Sequence, residues 1–441
     1  MMTALLSKTG GHWIFSATGS SDTESVSPIF PHDKVSINCV RVDDEVFRVY
    51  REDYCVRTLI WLFHYLLETS LSYRPAPGSR LAWDAYQRVN QAFTDALLKV
   101  HDNTPDEVIL VNDLHLLLVP GLFAQTVPKR NSKLAYFHHV PWCEPEYFGI
   151  LPELQRTQIL KSVLCADFVG FHSRRWALAF LACCQRYLPN IHIDGTSVLF
   201  NDHITWLSVS PGTADKEALA RLQVEPGTAS WQQQLARQAS GRRVIVRVDR
   251  MDLWKNHVRG FSAFERLLDR NPSLAADVWF CAIASPTRLQ TERHLNYRAA
   301  CEGIVDRINR RFGASAEVVS LFYPVGSQQA RQQALAALSL GSIALVNPIW
   351  DGLNLVAKES VLLSEKSRLV LSVNAGVHDQ LAATSLSINP FDEEATADAL
   401  AQAIEDTGAN AAQLAQRARA ALADESASTW LDALLNPSGV F

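Results

Sequence analysis

Side chains that can move protons or bind phosphate follow short apolar runs at several places in this chain. In the first half they are Asp113, His139 and His172, and in the second half they include the cations Arg250 and Lys255. Carboxylates and imidazoles exchange protons and hydrogen-bond hydroxyl groups, whereas guanidinium and ammonium groups neutralise phosphate. Taken singly, each residue is explained equally well as a helix cap or a surface ion pair. Taken together, they predict a neutral polyol bound by the first half and a diphosphate bound by the second.

Residues 347–359 have the composition of an anion-binding turn. An apolar run of strand length, residues 342–346, precedes them, and apolar residues at helical spacing follow. This order predicts a strand-to-helix turn in which Gly352 eases the backbone and Asn354 caps the helix, whose first N–H groups attract anions. Glu359 then lies about one and a half turns into the helix, within reach of sugar hydroxyls beside a bound phosphate. An ordinary turn with a solvated Glu359 explains this stretch alone equally well.

Two series of short apolar runs, alternating with helical patterns, must position these residues. The predicted strands are residues 108–111, 134–137, 168–171, 206–209, 244–248, 278–283, 318–322, 342–346, 369–371 and 386–388. Continuous apolar strands that alternate with helices are typical of parallel sheets covered on both faces, and such sheets bind ligands beyond the carboxyl ends of their strands. We therefore predict an α/β protein of two doubly wound, Rossmann-like domains whose polar strand ends face each other across a cleft.

A chain of 441 residues is long enough for two such domains. The stretch 213–241 is rich in Ala and Gln, is broken by Pro226 and Gly227, and shows no strand pattern. The boundary is therefore predicted there, giving an N-terminal domain of residues 1–225 and a C-terminal domain of residues 226–441 that ends in Ala-rich helices.

The composition excludes several classes of protein. The net charge of −5 gives no nucleic-acid footprint and no polybasic membrane patch. The longest apolar run, residues 59–67, is too short to cross a bilayer, and the N-terminus lacks the pattern of a signal peptide. The eight cysteines are scattered without a C-x-x-C pair, which predicts reduced, buried thiols in the cytoplasm and neither a zinc site nor disulfides.

Five motifs resemble, in order, those of the trehalose-6-phosphate synthase family. They are residues 112–116, 137–142, 167–172, 248–255 and 351–359, within a resemblance that covers roughly residues 35 to 435. The resemblance implies a retaining glycosyltransferase of the GT-B fold that moves a sugar from a UDP- or GDP-linked donor to a sugar-phosphate acceptor without a cofactor or a metal. It also implies a front-face reaction, in which the departing phosphate deprotonates the acceptor hydroxyl.

The resemblance also implies roles for individual residues on the donor side. Arg250 and Lys255 would bind the donor diphosphate, and Asp351 would hold the hydroxyls of the donor sugar. Glu359 would bind the ribose. The remaining donor contacts would come from the turn between Asp351 and Glu359, that is, from Gly352, Leu353, Asn354, Leu355 and Val356. Of these, Leu355 and Val356 would contact the phosphates through their backbone.

On the acceptor side, the resemblance implies that Asp113 lies near the acceptor, with Trp61 and Arg288 as further acceptor-binding residues. His139 would lie near the donor sugar. The expected catalytic set is Asp113, His139, Arg250 and Lys255.

The chain departs from the family pattern in four places. It lacks the Asn-Arg pair of the first strand, its only Gly-Gly is Gly10-Gly11, Tyr50 and Tyr54 flank the position of the acceptor-binding tyrosine, and Asn256 stands where the family usually has Gly. The absence of the arginine predicts weak or no turnover with glucose 6-phosphate, and it predicts that any phosphorylated acceptor depends on Arg288.

Three alternatives follow from these departures. They are a trehalose-phosphate-like synthase, a pseudo-glycosyltransferase that joins a cyclitol or another polyol phosphate, and a non-catalytic nucleotide-sugar-binding subunit. A homo-oligomer is compatible with all three.

Overall fold

The computed structural model describes residues 2–16, 34–68, 79–287, 291–314, 316–406 and 409–437, to which the structural statements below refer. Its contacts divide the chain into two compact units: unit 1 is Met1–Thr213 together with Ser426–Phe441, and unit 2 is Ala214–Glu425. The C-terminal segment belongs to unit 1 because Trp430 and Leu434 are buried against the sheet of that unit. The predicted boundary between residues 225 and 226 lies inside unit 2, between a helix that ends at Gln223 and a helix that begins at Pro226.

Unit 1 contains one large mixed sheet and one small parallel pair. The strands are β1 (Gly11–Ser16), β2 (Val35–Val40), β3 (Val108–Asn112), β4 (Lys133–His138), β5 (Phe168–Phe171), β6 (His192–Asp194), β7 (Ser197–Phe200) and β8 (His203–Val209). The large sheet has the order β3-β4-β5-β8-β7-β6, in which the first four strands are parallel and the last two form an antiparallel hairpin. The hairpin was not predicted. Strands β1 and β2 pair separately, so Gly10-Gly11 does lead into a strand.

Helices follow the strands of unit 1 as the apolar periodicity predicts. They are α1 (Met2–Thr9), α2 (Asp44–Arg48), α3 (Trp61–Phe63), α4 (Arg80–Leu98), α5 (Val119–Thr126), α6 (Pro145–Phe148), α7 (Glu153–Val163) and α8 (Arg174–Tyr187). Between α2 and α3, Val49–Ile60 forms a π-helix that buries Tyr50 and Tyr54. Their hydroxyls donate to the carbonyl of His115 at 3.1 Å and to Gln155 Oε1 at 3.0 Å, so both tyrosines serve the core of the unit.

Unit 2 is built on one parallel sheet with the order β11-β10-β9-β12-β13-β14. The strands are β9 (Arg243–Arg250), β10 (Val278–Ser285), β11 (Val319–Phe322), β12 (Ile343–Val346), β13 (Arg368–Ser372) and β14 (Leu386–Ile388). The helices are α9 (Lys216–Gln223), α10 (Pro226–Ala239), α11 (His257–Arg270), α12 (Leu274–Asp277), α13 (Glu292–Phe312), α14 (Ser327–Leu340), α15 (Leu355–Leu363), α16 (His378–Leu381), α17 (Glu393–Glu405) and α18 (Ala409–Ala421). Helix α19 (Ala427–Leu435) then returns to unit 1.

The sheet of unit 2 is covered on both faces, which confirms the doubly wound prediction. Successive residues of a strand point to opposite faces. In β9, Val244 and Val246 lie in one buried apolar cluster and Ile245 lies in another. The ten predicted strands are all present, and the α/β fold class is confirmed.

The cysteines agree with the prediction in part. All eight are free thiols, and six of them are buried. Cys39 and Cys165 are only half-buried, so the prediction of a fully buried set is wrong for these two. Cys165 lies in the turn after α7, where its thiol donates to the carbonyl of Lys161 at 3.3 Å.

Among the described helices, none combines the length and the apolar content that a bilayer crossing requires.

His138 makes the stability of unit 1 dependent on pH. The ring is fully buried, its Nδ1 accepts from the Tyr136 hydroxyl at 2.8 Å, and its Nε2 lies 3.3 Å from the carbonyl of Pro141. Burial lowers the pKa of His138 from 6.5 to about 4. Between these values the unfolded chain binds a proton that the folded chain does not. We therefore expect the free energy of unfolding to fall by about 3 kcal/mol as the pH falls through this window.

Urea unfolding from about pH 7.5 to about pH 4.5 measures this effect. In the variant His138→Phe, which keeps a buried ring without a titratable group, the loss of stability at low pH should be smaller by about that amount. Parallel pH profiles for the two proteins would assign the acid sensitivity to other groups.

Candidate functional site

Asp113 lies directly after β3 with a backbone φ of 67°, and its carboxylate is held by the next strand end. Its Oδ1 accepts the backbone N–H of His139 at 3.1 Å, and its Oδ2 lies 3.8 Å from His115 Nδ1. Burial acts to raise the pKa of Asp113, but the neighbouring histidines and the backbone N–H of Leu114 outweigh it, so the pKa lies below its ordinary value. Asp113 is therefore a carboxylate at neutral pH, able to accept hydrogen bonds from hydroxyl groups.

His139 follows β4, and both of its ring nitrogens have partners from neighbouring strand ends. Its Nδ1 lies 3.2 Å from His172 Nε2, and its Nε2 lies 3.0 Å from Asn112 Oδ1. The buried ring of Phe137 lies 4.7 Å from the His139 ring and 4.8 Å from the His172 ring, measured between centroids. Burial lowers the pKa of His139 and the charge of Asp113 opposes this only in part, so His139 is neutral at neutral pH. The structure thus brings Asp113, His139 and His172 together, as the sequence predicts for the carboxyl edge of this sheet.

Lys255 of unit 2 lies between two carboxylates. Its ammonium lies 2.6 Å from Asp351 Oδ2 and 3.4 Å from Asp249 Oδ1, and its side chain is 13% exposed. Burial acts to lower the pKa of Lys255, but the carboxylates of Asp351 and Asp249 outweigh it and the pKa is raised. Burial also raises the pKa of Asp249, against the opposing effects of Lys255 and Arg247. Lys255 is therefore a charged ammonium, as an anion site requires.

The turn after β12 forms the predicted strand-to-helix connection. Asn354, with a φ of 77°, is the N-cap of α15, and its Oδ1 accepts the N–H of Ala357 at 3.3 Å. Its Nδ2 donates to Asp351 Oδ2 at 3.0 Å. Helix geometry leaves the N–H groups of Leu355 and Val356 without intrahelical acceptors. The turn therefore presents donors beside the Lys255–Asp351 pair, where a phosphate is favoured.

Arg250, at the end of β9, is placed differently from Lys255. Its guanidinium is 62% exposed, and its Nη2 lies 2.7 Å from Asp252 Oδ2. The guanidinium also lies 5.9 Å from the ring of Trp254. The structure therefore places the exposed Arg250 in an ion pair, the alternative that the sequence left open, although its partner Asp252 is buried.

Glu359 lies in the second turn of α15 and is bound by an arginine that the sequence did not single out. Arg331 of α14 donates from Nη1 and Nη2 to the two carboxylate oxygens of Glu359, each at 2.9 Å. A bidentate pair fixes the plane of the carboxylate and leaves further lone pairs on both oxygens. Glu359 can thus still accept from hydroxyl groups in a fixed orientation.

Asn256 explains one departure from the family pattern. It has a left-handed backbone, with a φ of 64° and a ψ of 41°, in which Gly and Asn are the favoured residues. Its Nδ2 donates to the carbonyls of Asn347 at 2.9 Å and Pro390 at 2.8 Å. Asn therefore satisfies the backbone requirement that Gly meets and adds two buried hydrogen bonds.

The two remaining predicted acceptor-binding residues are Arg288 and Trp61. Arg288 lies outside the described residues. Trp61 begins α3 in unit 1 and is half-buried. No group of three or more His, Cys, Asp or Glu residues that could hold a metal ion is found in the described ranges.

The chain is similar to known glycosyltransferases over most of its length. A model of glycosyltransferase family 20 matches residues 1–437 of the chain. The chain is 31% identical over 387 residues to the alpha,alpha-trehalose-phosphate synthase (UDP-forming) of Schizosaccharomyces pombe, a match that covers 84% of this chain and 71% of that protein. It is 29% identical over 367 residues to a probable alpha,alpha-trehalose-phosphate synthase (UDP-forming) 2 of Arabidopsis thaliana, covering 81% of this chain and 43% of that protein. The chain thus spans less than half the length of the Arabidopsis relatives it matches.

The fold has a solved counterpart. The structure of an alpha,alpha-trehalose-phosphate synthase (UDP-forming) from Burkholderia xenovorans in complex with glucose-6-phosphate superposes with a TM-score of 0.85 at 23% identity. The match covers 98% of this chain and 93% of that one. At this identity the likeness shows the fold, and it confirms the GT-B type predicted from the sequence.

Proposed function

Since the chain belongs to glycosyltransferase family 20, we propose that it is a retaining glycosyltransferase that moves glucose from UDP-glucose to a sugar phosphate, as a trehalose-phosphate synthase does. The observation that carries this proposal is the Lys255–Asp351 pair at the start of α15. A buried ammonium beside helix N–H donors is suited to a diphosphate, and an adjacent carboxylate is suited to sugar hydroxyls. The relatives' names, which specify a UDP-forming reaction, support UDP among the possible nucleotides.

The donor binds to unit 2 in this proposal. Lys255 and Arg250 neutralise the diphosphate, and the N–H groups of Leu355 and Val356 donate to its oxygens. Asp351 accepts from hydroxyls of the donor sugar, and Glu359, held by Arg331, accepts from the ribose. This assignment requires Lys255 to exchange part of its contact with Asp351 for contact with phosphate.

The reaction is a substitution at the anomeric carbon of the donor. The bond from that carbon to the phosphate oxygen of UDP breaks, and a bond to the acceptor oxygen forms on the same face of the sugar. The acceptor's proton passes to the departing phosphate, so the products are UDP and a disaccharide phosphate. The role of the protein is to neutralise the charge that develops on the leaving phosphate, which falls to Lys255 and Arg250.

Unit 1 supplies the groups that bind neutral hydroxyls. Asp113 is an ionised acceptor, and His139 is a neutral ring beside it. The phosphate of the acceptor requires a cation, because an unpaired buried phosphate is costly. Arg288 stays the predicted partner for the phosphate of the acceptor. The KM for glucose 6-phosphate in Arg288→Ala measures that role.

A donor and acceptor screen tests the function. UDP, GDP and ADP are compared by thermal shift, and UDP-glucose is then incubated with glucose 6-phosphate, other sugar phosphates and cyclitol phosphates. We expect UDP to stabilise the chain and a disaccharide phosphate with retained anomeric configuration to form, identified by mass spectrometry and NMR. Formation of product only with a cyclitol phosphate would favour a pseudo-glycosyltransferase. Binding of UDP with no product from any acceptor would favour a non-catalytic subunit. Weak turnover with glucose 6-phosphate stays a prediction that the same screen decides.

Arg250→Ala is expected to weaken UDP binding about tenfold or more, because a charge-assisted contact to phosphate is worth roughly 1.5–3 kcal/mol. The variant also leaves the carboxylate of Asp252, which is 2% exposed, without this partner, so we expect some loss of thermal stability but a larger relative loss of UDP affinity. Titration calorimetry with UDP measures the affinity, with the exposed Arg310→Ala in the last turn of α13 as the control for charge loss. Equal affinities for the two variants would remove Arg250 from the diphosphate site.

A further inference from the structure

A chain of hydrogen bonds crosses the carboxyl edge of the unit 1 sheet in the order of its parallel strands. Gly212, after β8, donates its backbone N–H to His172 Nδ1 at 3.0 Å. His172, after β5, contacts His139 Nδ1 through its Nε2 at 3.2 Å, and His139, after β4, contacts Asn112 Oδ1 through its Nε2 at 3.0 Å. Asn112 is the last residue of β3. Hydrogen bonds thus link the ends of β8, β5, β4 and β3 one after another.

The donor-to-acceptor direction of these hydrogen bonds is determined by the first of them, from Gly212 to His172. A backbone N–H can only donate, so His172 Nδ1 carries no proton and the neutral ring carries its proton on Nε2. That proton makes His139 Nδ1 an acceptor, which places the proton of the neutral His139 ring on Nε2. His139 Nε2 then donates to Asn112, so the carboxamide oxygen must face His139. The lowered pKa of His139 agrees with a neutral ring in this arrangement.

The orientation of Asn112 has a chemical consequence. With its oxygen used by His139, its Nδ2 group directs two N–H donors away from the ring. Within the described part of the chain, Asn112 makes no other side-chain hydrogen bond, and it is only half-buried. The next residue, Asp113, is an ionised acceptor. A donor pair and an acceptor on consecutive residues suit a hydroxyl group, whose oxygen accepts and whose proton is donated.

We propose that Asn112 is a further sugar-binding residue that donates to a hydroxyl oxygen, and that His172 is a positioning residue that fixes Asn112 through the tautomer of His139. This inference deepens the proposed function and rests on it. A purely structural role for the two imidazoles, which also pack on Phe137, would require rings of this size but no particular tautomer.

Two variants of His172, whose new side chains have the same shape as each other, separate a positioning role from a purely structural one. In His172→Gln, the amide oxygen accepts from Gly212 and the amide nitrogen donates to His139, so the direction of the chain is kept. In His172→Glu, both oxygens accept, so His139 must carry a proton on Nδ1. At a pH above the pKa of His139 in this variant, where the ring is neutral, its Nε2 becomes an acceptor toward Asn112. The carboxamide of Asn112 is then turned round.

Nitrogen-15 NMR of histidine-labelled protein reads the tautomer directly. We expect an unprotonated His139 Nδ1 in the wild type and in His172→Gln, and a protonated Nδ1 in His172→Glu. We also expect kcat/KM to fall at least about tenfold in His172→Glu relative to His172→Gln. In the Asn112→Ala background the two His172 variants should differ by less than about twofold, because His172 acts through Asn112.

A wild-type His139 that is protonated on Nδ1 would overturn the proposal. So would equal turnover of the Gln and Glu variants, or a difference between them that persists without Asn112, which would assign the effect to charge or packing. If the wild type turns over no acceptor, the proposed function has failed and the sugar-binding role of Asn112 fails with it. The NMR result then still decides whether His172 sets the tautomer of His139.

Discussion

Lys255→Met is expected to lower kcat/KM for transfer from UDP-glucose by about two to three orders of magnitude, the usual effect of removing one group that stabilises developing charge. The Lys255 ammonium is 2.6 Å from Asp351 and 3.4 Å from Asp249. Methionine keeps the length of the side chain and removes its charge, so a bound diphosphate would meet two carboxylates without a neutralising cation. Both the affinity for UDP and the rate of the chemical step should fall, as measured by calorimetry and steady-state kinetics.

Helix α15 offers a matched control for this variant. Lys358 is a fully buried lysine whose ammonium lies 2.5 Å from Glu425 Oε1. Breaking either buried ion pair by Lys→Met is expected to destabilise unit 2 by about 3 kcal/mol or more. Only Lys255→Met should reduce the affinity of the folded protein for UDP. A comparable loss of UDP affinity in Lys358→Met would show that Lys255 supports the structure rather than the ligand.

The parts of the site that could be predicted from the sequence are those that local rules determine. An apolar run followed by a turn and a helical pattern places Asn354 at the start of α15, because Asn is a strong N-cap and the strand and helix patterns meet there. Asp113 and His139 were predicted to approach each other because the carboxyl ends of parallel strands share one edge of a sheet. The observed contact between them, 3.1 Å from Asp113 Oδ1 to the His139 nitrogen, follows from that rule alone.

The parts that could not be predicted depend on partners far apart in the sequence. Arg331 precedes Glu359 by most of a helix and a strand, and nothing in the residues around it indicates that it binds Glu359 in the folded unit. The π-helix that buries Tyr50 depends on hydrogen bonds that no residue pattern here distinguishes from those of an α-helix, so this geometry could not be predicted. Arg247 was not singled out from the sequence either, although a charged residue inside an otherwise apolar run indicates a specific buried partner.

Arg247→Met is expected to produce a large loss of stability in unit 2, on the order of 3–5 kcal/mol, because it removes one partner of a buried ion pair. The Arg247 side chain is fully buried. Its Nη1 donates to Asn347 Oδ1 at 2.6 Å and to the carbonyl of Asn256 at 3.3 Å, and its Nη2 donates to the carbonyl of Lys255 and lies 3.6 Å from Asp249 Oδ2. Methionine fills part of the same volume but removes the guanidinium donor of Asn347 Oδ1 and of the Lys255 carbonyl, and it leaves Asp249 with Lys255 alone as a cationic neighbour.

The effect should be local, which native-state hydrogen exchange can measure. Amides of β9 and β12 should lose protection in Arg247→Met, whereas amides of β3 to β5, in the other unit, should keep theirs. The double variant Arg247→Met with Asp249→Asn should lose less than the sum of the two single losses, because the second change removes the buried carboxylate that the first deprives of one of its two cations. Additive losses would show that Asp249 depends on Lys255 alone. In that case the main function of Arg247 is to hold the carbonyls of Lys255 and Asn256, and its loss would affect the proposed diphosphate site through the backbone that carries the Lys255 side chain.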